Sequence, residues 1–206
     1  MDGFIGPVHD HRLICYVCVD PEIMKIAVMR VLERHGVTPW LQTFAEDVVV
    51  RDGQVTGLVV VNKSGRTIVT ADHFIDCSGD GDLAAWRGAP YELGDGRGGM
   101  LYPSTMYRIA GVDPQRAGAA WERIPQLMEE AERSGRRFPR KKPIVRPQPN
   151  PTEWRANLTQ IRNPDGSAVS GIDAEQLAYG EIEGRRQCRD TFEFIRSVTP
   201  GFEKAY

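Results

Sequence analysis

The stretch IDCSGDGDLAAWRGAP, from Ile75 to Pro90, joins an apolar run to a glycine-rich turn and then to small helix-forming residues. The two glycines of the turn, Gly79 and Gly81, are separated by one residue, and an aspartate follows each of them. A strand that ends at such glycines and continues as a helix is the usual form of a turn that cradles a nucleotide. We therefore predict a strand over Phe74–Cys77, a tight turn after it, and a short helix over Leu83–Arg87.

The two aspartates of this turn, Asp80 and Asp82, indicate the kind of ligand. The N–H groups at a helix N-terminus attract phosphate, but neighbouring carboxylates neutralise much of that attraction. Carboxylates instead accept hydrogen bonds from sugar hydroxyls, so a ribose or ribityl chain suits the turn better than a bare phosphate. The alternative is that the aspartates only cap the helix while the glycines only turn the chain.

The composition of the chain is that of a globular protein. It has 206 residues, of which 41% are hydrophobic and 26% are charged. The formal net charge of -2 provides no general attraction to nucleic acid or to an anionic membrane. No apolar run is long enough to cross a membrane, and the first residues lack the pattern of a signal peptide. We therefore predict a cytoplasmic location, with neither a nucleic-acid nor a membrane partner.

The residues before the turn alternate between helix and strand patterns. Asp20 is a natural N-cap, and apolar residues then recur at helical spacing until Gly36. Residues 37–43 and 45–77 contain β-branched runs broken by the turn sequences RDGQ and NKSGR. They predict a helix followed by a β-meander whose last strand enters the glycine turn.

The second half of the chain is less regular. We predict strand character in residues 100–113, a helix over 114–135, a strand within 153–163, and a long helix that begins after its cap, Asp173. The basic, proline-rich residues 136–151 are expected to form a solvated crossing loop rather than a polyanion-binding site. Residues 199–206 contain no recognisable element.

The cysteines and histidines do not predict a metal site. Cys15 and Cys18 have the CxxC spacing of a redox pair or half a metal site, but buried cysteines of a strand are the favoured interpretation. The spacing of the four cysteines is not that of an iron–sulfur cluster. We expect residues His9–His11 to form an exposed loop, and the sequence offers no third metal ligand to accompany the two histidines.

Several segments resemble one family of flavoproteins. FIDCSGDGDLAAWRGAPYELG, residues 74–94, closely resembles the signature IDATGDGDLAALAGAPFE of FAD-dependent oxidoreductases related to the FAD-binding subunit of heterodisulfide reductase. Residues 20–37, 48–66, 104–113 and 180–206 are similar to further segments of the same family.

The resemblance implies an α/β protein with a partial glutathione-reductase-like FAD-binding fold, made of the β-meander and the strand–glycine turn–helix. Residues 1–98 would form this FAD-binding domain, and residues 99–206 an α+β substrate or cap domain. The implied function is flavin-mediated electron or hydride transfer on an unidentified small molecule.

Carried over position by position, the resemblance also implies the cofactor site. The residues along the FAD would be Ala45, Ser78, Gly79, Asp80, Gly81 and Asp82. Some relatives in the heterodisulfide-reductase group carry iron–sulfur clusters, but the motifs that bind those clusters do not occur in this sequence.

Three further polar residues are candidates for contact with substrate. They are Arg108, Asn157 and Arg185, and the two arginines could clamp a carboxylate. The alternative for the two arginines is that they form ion pairs holding the cap domain to the FAD-binding domain. The sequence does not identify a general acid or a general base.

One part of the family pattern is not found where relatives carry it. Relatives begin with a strand, a GxGxxG turn and a helix that hold the FAD pyrophosphate, whereas the early glycines here, Gly3 and Gly6, are followed by no such unit. The flavin-contacting segment that follows PGFEKAY in relatives is also missing.

We therefore expect an internal fragment, which would be a truncated product, half of a split protein or an incomplete gene model. Such a fragment would bind FAD weakly or not at all by itself, and a complementing chain carrying the GxGxxG unit would be its partner. The alternative function is a non-catalytic remnant or interaction module.

Overall fold

The computed structural model describes residues 4–10, 14–96 and 99–206 of the chain. Helices and small antiparallel sheets alternate along these residues, so the predicted mixture of helix and strand is confirmed. The chain divides into two compact units, one comprising Met1–Ala27 and Arg97–Tyr206 and the other Val28–Gly96. Each unit is described by itself below.

The first elements are a hairpin and a helix. Strands β1 (Phe4–Asp10) and β2 (Ile14–Val19) pair antiparallel, and helix α1 covers Pro21–Arg34. The predicted cap is confirmed, because Asp20 Oδ1 accepts hydrogen bonds from the backbone N–H groups of the second and third residues after it, at 2.8 and 3.2 Å. The helix ends before Gly36, whose φ is 66°.

The hairpin also bears on two predictions made near the N-terminus. His9 belongs to β1, so the predicted loop is wrong there, and His11 lies outside the described residues. Cys15 and Cys18 lie in β2, so the strand that we predicted for these two cysteines is confirmed.

The predicted β-meander is confirmed in its central part. Strands β3 (Phe44–Arg51), β4 (Gln54–Asn62) and β5 (Gly65–Val69) form a three-stranded antiparallel sheet in the order β3-β4-β5. Asp52 and Gly53 join β3 to β4 with φ values of 48° and 73°. Two consecutive residues at positive φ match the right-handed twist of a hairpin, which explains why Asp-Gly is found here.

The flanking strands predicted for the meander are wrong. Residues 37–43 and Phe74–Cys77 have no strand structure, and no described strand pairs with them. A strand is held by hydrogen bonds to a neighbouring strand, so a β-branched run without a partner remains irregular. The glycine turn is therefore entered from a segment without regular secondary structure, and helix α2 (Asp82–Arg87) follows it as predicted.

The second half forms another three-stranded sheet covered by helices. Strands β6 (Tyr107–Ile109), β7 (Ile144–Pro147) and β8 (Trp154–Asn157) are antiparallel in the order β6-β8-β7. The strand predictions for β6 and β8 are confirmed. The prediction of a solvated loop over residues 136–151 is wrong in part, because β7 arises within it and pairs with β8.

The helices of the second half are α3 (Pro114–Ala117), α4 (Ala120–Arg133) and α5 (Ala174–Val198). The single helix predicted over residues 114–135 is divided at Gly118, whose φ and ψ of 49° and -127° are incompatible with a helix. The long helix α5 is confirmed, and its cap Asp173 accepts a hydrogen bond from Gln176 N at 2.8 Å.

The core of the second half lies between its sheet and helices. Trp154 of β8 is buried, with its ring 5.8 Å from that of Trp121 and 5.2 Å from that of Phe202. Phe202 comes from the last eight residues, which form no helix or strand but contribute a fully buried side chain. Backbone hydrogen bonds between Tyr206 and Ala110 hold this tail in place.

Candidate functional site

The glycine turn is open toward solvent. Gly79 and Gly81 have φ values of 101° and 72°, which L side chains rarely adopt. A Cβ built on either glycine would meet no atom within 4 Å among the described residues. The glycines are therefore required by the backbone conformation, and the space above them is free for a ligand.

Asp76 holds this turn together, a role that the sequence reasoning did not assign to it. Its Oδ1 accepts a hydrogen bond from Ser78 N at 3.0 Å, and its Oδ2 accepts one from Ala84 N at 3.2 Å. These bonds, above all the one from the Ser78 backbone, lower the pKa of Asp76. The available signal was an aspartate near the end of the predicted strand, two residues before Ser78.

Ser78 contributes a second bond of the same kind. Its Oγ accepts a hydrogen bond from the backbone N–H of Asp82 at 3.0 Å. Together, Asp76 and Ser78 occupy backbone N–H groups in the first turn of α2. Those groups are the ones that would otherwise attract a phosphate.

The carboxylates of Asp80 and Asp82 have no hydrogen bond or ion pair within the described ranges. Asp80 is exposed and Asp82 is partly buried. The N-cap position of α2 is Gly81, and no side chain at that position bonds to the helix. The alternative that Asp80 or Asp82 caps this helix is therefore wrong, and both carboxylates remain available as acceptors.

Ala45 lies in β3, opposite Val60 of β4. Because β3 is an edge strand of its sheet, one side of its backbone is unpaired in that sheet. Helix α2 lies beside β3, and the Arg87 guanidinium donates a hydrogen bond to the Gly53 carbonyl. No described hydrogen bond connects Ala45 itself to residues 78–82.

Arg108 of β6 lies opposite the residue two before Asn157 of β8, so these two candidates share one face of the sheet, whereas Arg185 lies on α5. Arg108 Nη1 lies 3.1 Å from Glu153 Oε2, and Arg185 Nη1 lies 2.5 Å from Glu181 Oε2 one turn earlier on α5. Both ion pairs are confined to the unit that contains residues 97–206, so neither connects the two units.

Asn157 differs from these arginines, because its Oδ1 is buried without a hydrogen-bond partner among the described residues. Such an atom is costly to leave unpaired, and the described residues offer it no donor.

Metal and membrane features were also sought. Within residues 4–10, 14–96 and 99–206, no group of three or more His, Cys, Asp and Glu side chains could hold a metal ion. In the same part of the chain, no helix combines the length and apolarity needed to cross a bilayer.

Comparison with known proteins identifies the family. A family model described as FAD dependent oxidoreductase matches residues 5–206, nearly the whole chain. The chain belongs to the FAD-dependent oxidoreductase family. No match was found among curated proteins or among solved structures. Membership of this family implies FAD as the cofactor and a general role in flavin-dependent oxidation and reduction.

The glycine turn of this FAD-dependent oxidoreductase has the chemistry that a polyhydroxyl group needs. Its backbone is accessible, and two carboxylates are free to accept hydrogen bonds from hydroxyls. The first amides of α2 are engaged by Asp76 and Ser78, which reduces their capacity to bind phosphate. The residues present therefore fit the sugar-like part of FAD better than its pyrophosphate.

The GxGxxG spacing does occur later in the chain, where the sequence reasoning missed it. Gly94, Gly96 and Gly99 have this spacing, but no strand leads into them, and no described helix begins between residues 99 and 113. Residues 97–98 of this stretch lie outside the described residues. Because the motif binds a pyrophosphate through a strand–turn–helix, the spacing alone does not identify such a site here.

Proposed function

We propose that this chain provides the sugar-binding part of an FAD site in a flavin-dependent oxidoreductase related to the FAD-binding subunit of heterodisulfide reductase. The observation that carries this proposal is the glycine turn, in which the carboxylates of Asp80 and Asp82 have no partner among the described residues and lie beside an open backbone. In this proposal both carboxylates accept hydrogen bonds from hydroxyls of the ribityl or ribose groups.

Other residues of the turn position these acceptors. Asp76 and Ser78 fix the path of the backbone through their hydrogen bonds, and Gly79 and Gly81 leave room for close approach. The unpaired edge of β3 at Ala45 offers backbone groups to the adenine. When bound, FAD supplies the capacity to accept or donate electrons or a hydride.

The remaining parts of the proposal concern domains and partners. Residues 1–98 form the partial, glutathione-reductase-like FAD-binding domain, and residues 99–206 form the substrate or cap domain. The substrate is a small molecule, and a second polypeptide with a strand–GxGxxG–helix unit supplies contacts to the pyrophosphate. Asn157 contacts substrate, because its buried Oδ1 has no partner among the described residues.

A nuclear magnetic resonance titration tests the FAD-binding role even if binding is weak. We expect FAD and riboflavin, which has the ribityl chain but no phosphate, to shift the backbone amide signals of residues 78–82. Inorganic pyrophosphate, which has the phosphates but no sugar hydroxyl, is expected to shift them less. Binding of pyrophosphate with shifts equal to those of riboflavin would contradict the preference for hydroxyls over phosphate.

Two variants of the turn connect those shifts to the carboxylates. Asp80→Asn and Asp82→Asn are each expected to weaken riboflavin binding by about tenfold, because each replaces a charge-assisted acceptor with a neutral one. The matched control is Asp72→Asn, which removes the same charge at an exposed position outside the turn. An equal loss in all three variants would indicate a general effect of charge.

The alternative, a non-catalytic interaction module, is favoured by one observation. Several large apolar side chains of the unit Val28–Gly96 are exposed, including Leu41 at 72%, Phe44 at 74% and Ile75 at 86%. Exposed apolar side chains of this size are typical of surfaces that contact another protein. The absence of any flavin-dependent shift in the titration would favour this second function.

A further inference from the structure

A second concave surface lies in the unit that contains residues 97–206, and the proposed flavin chemistry does not use it. This surface, here called the basic groove, has a volume of about 920 Å³. Its walls are the segment 138–142, the residues Tyr102, Gln160 and Arg162, and one face of α5 at Glu183 and Gln187. Its volume is within the range of small-molecule binding sites.

The charges of the basic groove are strongly unbalanced. Arg140, Lys141, Lys142 and Arg162 line it, and none of them forms an ion pair within the described part of the chain. Glu183 is the carboxylate in the lining, and it lies 3.5 Å from Arg186, which reduces its effect on the groove. Four cations around one concavity repel one another, and an anion bound between them relieves that repulsion.

The arginine on one wall is held in a defined position. The Arg162 guanidinium stacks 4.4 Å from the centre of the Tyr102 ring, and its Nη2 donates a hydrogen bond to Gln160 Oε1 at 2.7 Å. Gln160 N donates in turn to Gln187 Oε1 at 3.0 Å. Through these contacts the guanidinium is anchored to α5, while its remaining N–H groups are available to an acceptor.

The opposite wall is ordered in a different way. Arg140 Nε donates a hydrogen bond to the Lys142 carbonyl at 3.0 Å, which folds the segment back on itself. This bond occupies one N–H of the guanidinium and leaves its outer N–H groups available. A site that is already arranged loses less conformational entropy when a ligand binds.

We propose that the basic groove binds a small molecule that carries carboxylate or phosphate groups. This inference goes beyond the proposed function, because it requires neither FAD nor the glycine turn. A small anion fits the groove better than a polynucleotide does, since four cations converge on one concavity while the whole chain has a formal net charge of -2. The groove provides arginine forks for planar acid groups and lysines for additional charge.

Isothermal titration calorimetry on the full chain at low ionic strength tests this proposal. Citrate serves as the carboxylate probe and pyrophosphate as the phosphate probe, so that their relative affinities distinguish the two chemistries. We expect at least one probe to bind at millimolar concentration or below, and the affinity to fall as salt is added.

Variants locate the binding. We expect the double variant Lys141→Gln/Lys142→Gln to weaken anion binding by about tenfold or more, because it removes charge-assisted hydrogen bonds. The single variant Arg162→Gln is expected to have an effect of the same size for the same reason. Arg162→Lys, which keeps the charge but loses the planar fork, is expected to give an intermediate affinity. The matched control is Lys63→Gln combined with Arg133→Gln, which removes two exposed cations outside the groove.

Three results would overturn the proposal. The first is the absence of binding by either probe at millimolar concentration to a chain whose circular dichroism shows it to be folded. The second is an equal loss of affinity in the control double variant, which would indicate a general charge effect. The third is tighter binding of a single-stranded RNA oligonucleotide that depends on the same groove residues, which would assign the groove to nucleic acid instead. Loss of flavin binding at the glycine turn would leave these outcomes unchanged, so the two proposals fail independently.

Discussion

At the scale of single residues, Gly201 shows how one backbone position can tie the tail to the rest of its unit. Its φ is 89°, and its carbonyl accepts a hydrogen bond from Asp113 N at 2.9 Å. A Cβ at this position would lie 2.5 Å from Ala117 N and 2.8 Å from the Asp113 carbonyl oxygen. Both neighbours are backbone atoms and cannot rotate away, so only glycine fits here.

We predict that Gly201→Ala destabilises the protein more than Gly135→Ala does. Gly135 has a similar φ of 95°, but a Cβ there would meet nothing within 4 Å. Both variants force alanine into the left-handed region, whereas only Gly201→Ala adds overlap with backbone. The expected difference in the free energy of unfolding is about 1–3 kcal/mol, measured by urea denaturation. Equal losses in the two variants would show that the overlap is relieved at no cost.

At the scale of elements, a hydrogen bond joins the sheet of the second half to its longest helix. The hydroxyl groups of Tyr107 in β6 and Thr191 in α5 lie 2.9 Å apart. Thr191 Oγ1 also lies 2.6 Å from the Gln187 carbonyl, to which it donates, so the tyrosine hydroxyl is the donor between the two side chains. Burial raises the pKa of Tyr107 above its ordinary value, and the bond to Thr191 opposes that rise only in part.

We predict that this tyrosine makes the protein less stable at alkaline pH. A group whose pKa is higher in the folded state stabilises that state fully below its unfolded pKa, here about 10, and the stabilisation is lost as the pH rises above that value. Tyr107→Phe should lower the free energy of unfolding by about 1 kcal/mol at neutral pH. It should also make the decrease of that free energy above pH 10 less steep.

Denaturation midpoints measured across the alkaline range check this prediction. Tyr206→Phe is the control, because its side chain is 80% exposed. If the Tyr107→Phe profile runs parallel to that of the unmodified chain above pH 10, the raised pKa has no role in stability.

At the scale of the whole molecule, the apolar core is unevenly distributed along the chain. The buried cluster around Trp154 draws all its members from residues 109–205. Within the described residues of the unit Val28–Gly96, Val60 is the one aliphatic side chain that is buried, and Ile68 on the neighbouring strand is exposed. Since buried apolar area is the main source of stability, we expect the unit of residues 28–96 to be the less stable one.

Hydrogen exchange measured by mass spectrometry tests this expectation. Peptides from α5 and β8 should exchange more slowly than peptides from β5 and α2, by about tenfold or more. Added flavin should reduce this difference in exchange rate if the glycine turn binds it, because a ligand stabilises the state to which it binds. Uniform protection along the chain would mean that the two units unfold together.

The sequence by itself determined the features that depend on neighbouring residues. The cap at Asp20, the hairpin at Asp52 and Gly53, and the start of α5 at Asp173 were predicted correctly, because each rests on contacts within a few residues. The family was also evident from the segment around the glycine turn, and the match over residues 5–206 agrees with it.

Only the tertiary structure decided the features that need partners distant in the chain. The segment Phe74–Cys77, predicted as a strand, has no neighbouring strand and is irregular, whereas β7 formed inside a proline-rich segment because β8 pairs with it. The basic groove likewise brings Tyr102 and Arg162 together with residues 140–142. Pairing and convergence depend on which distant segments meet in space, and local propensity carries no information about that.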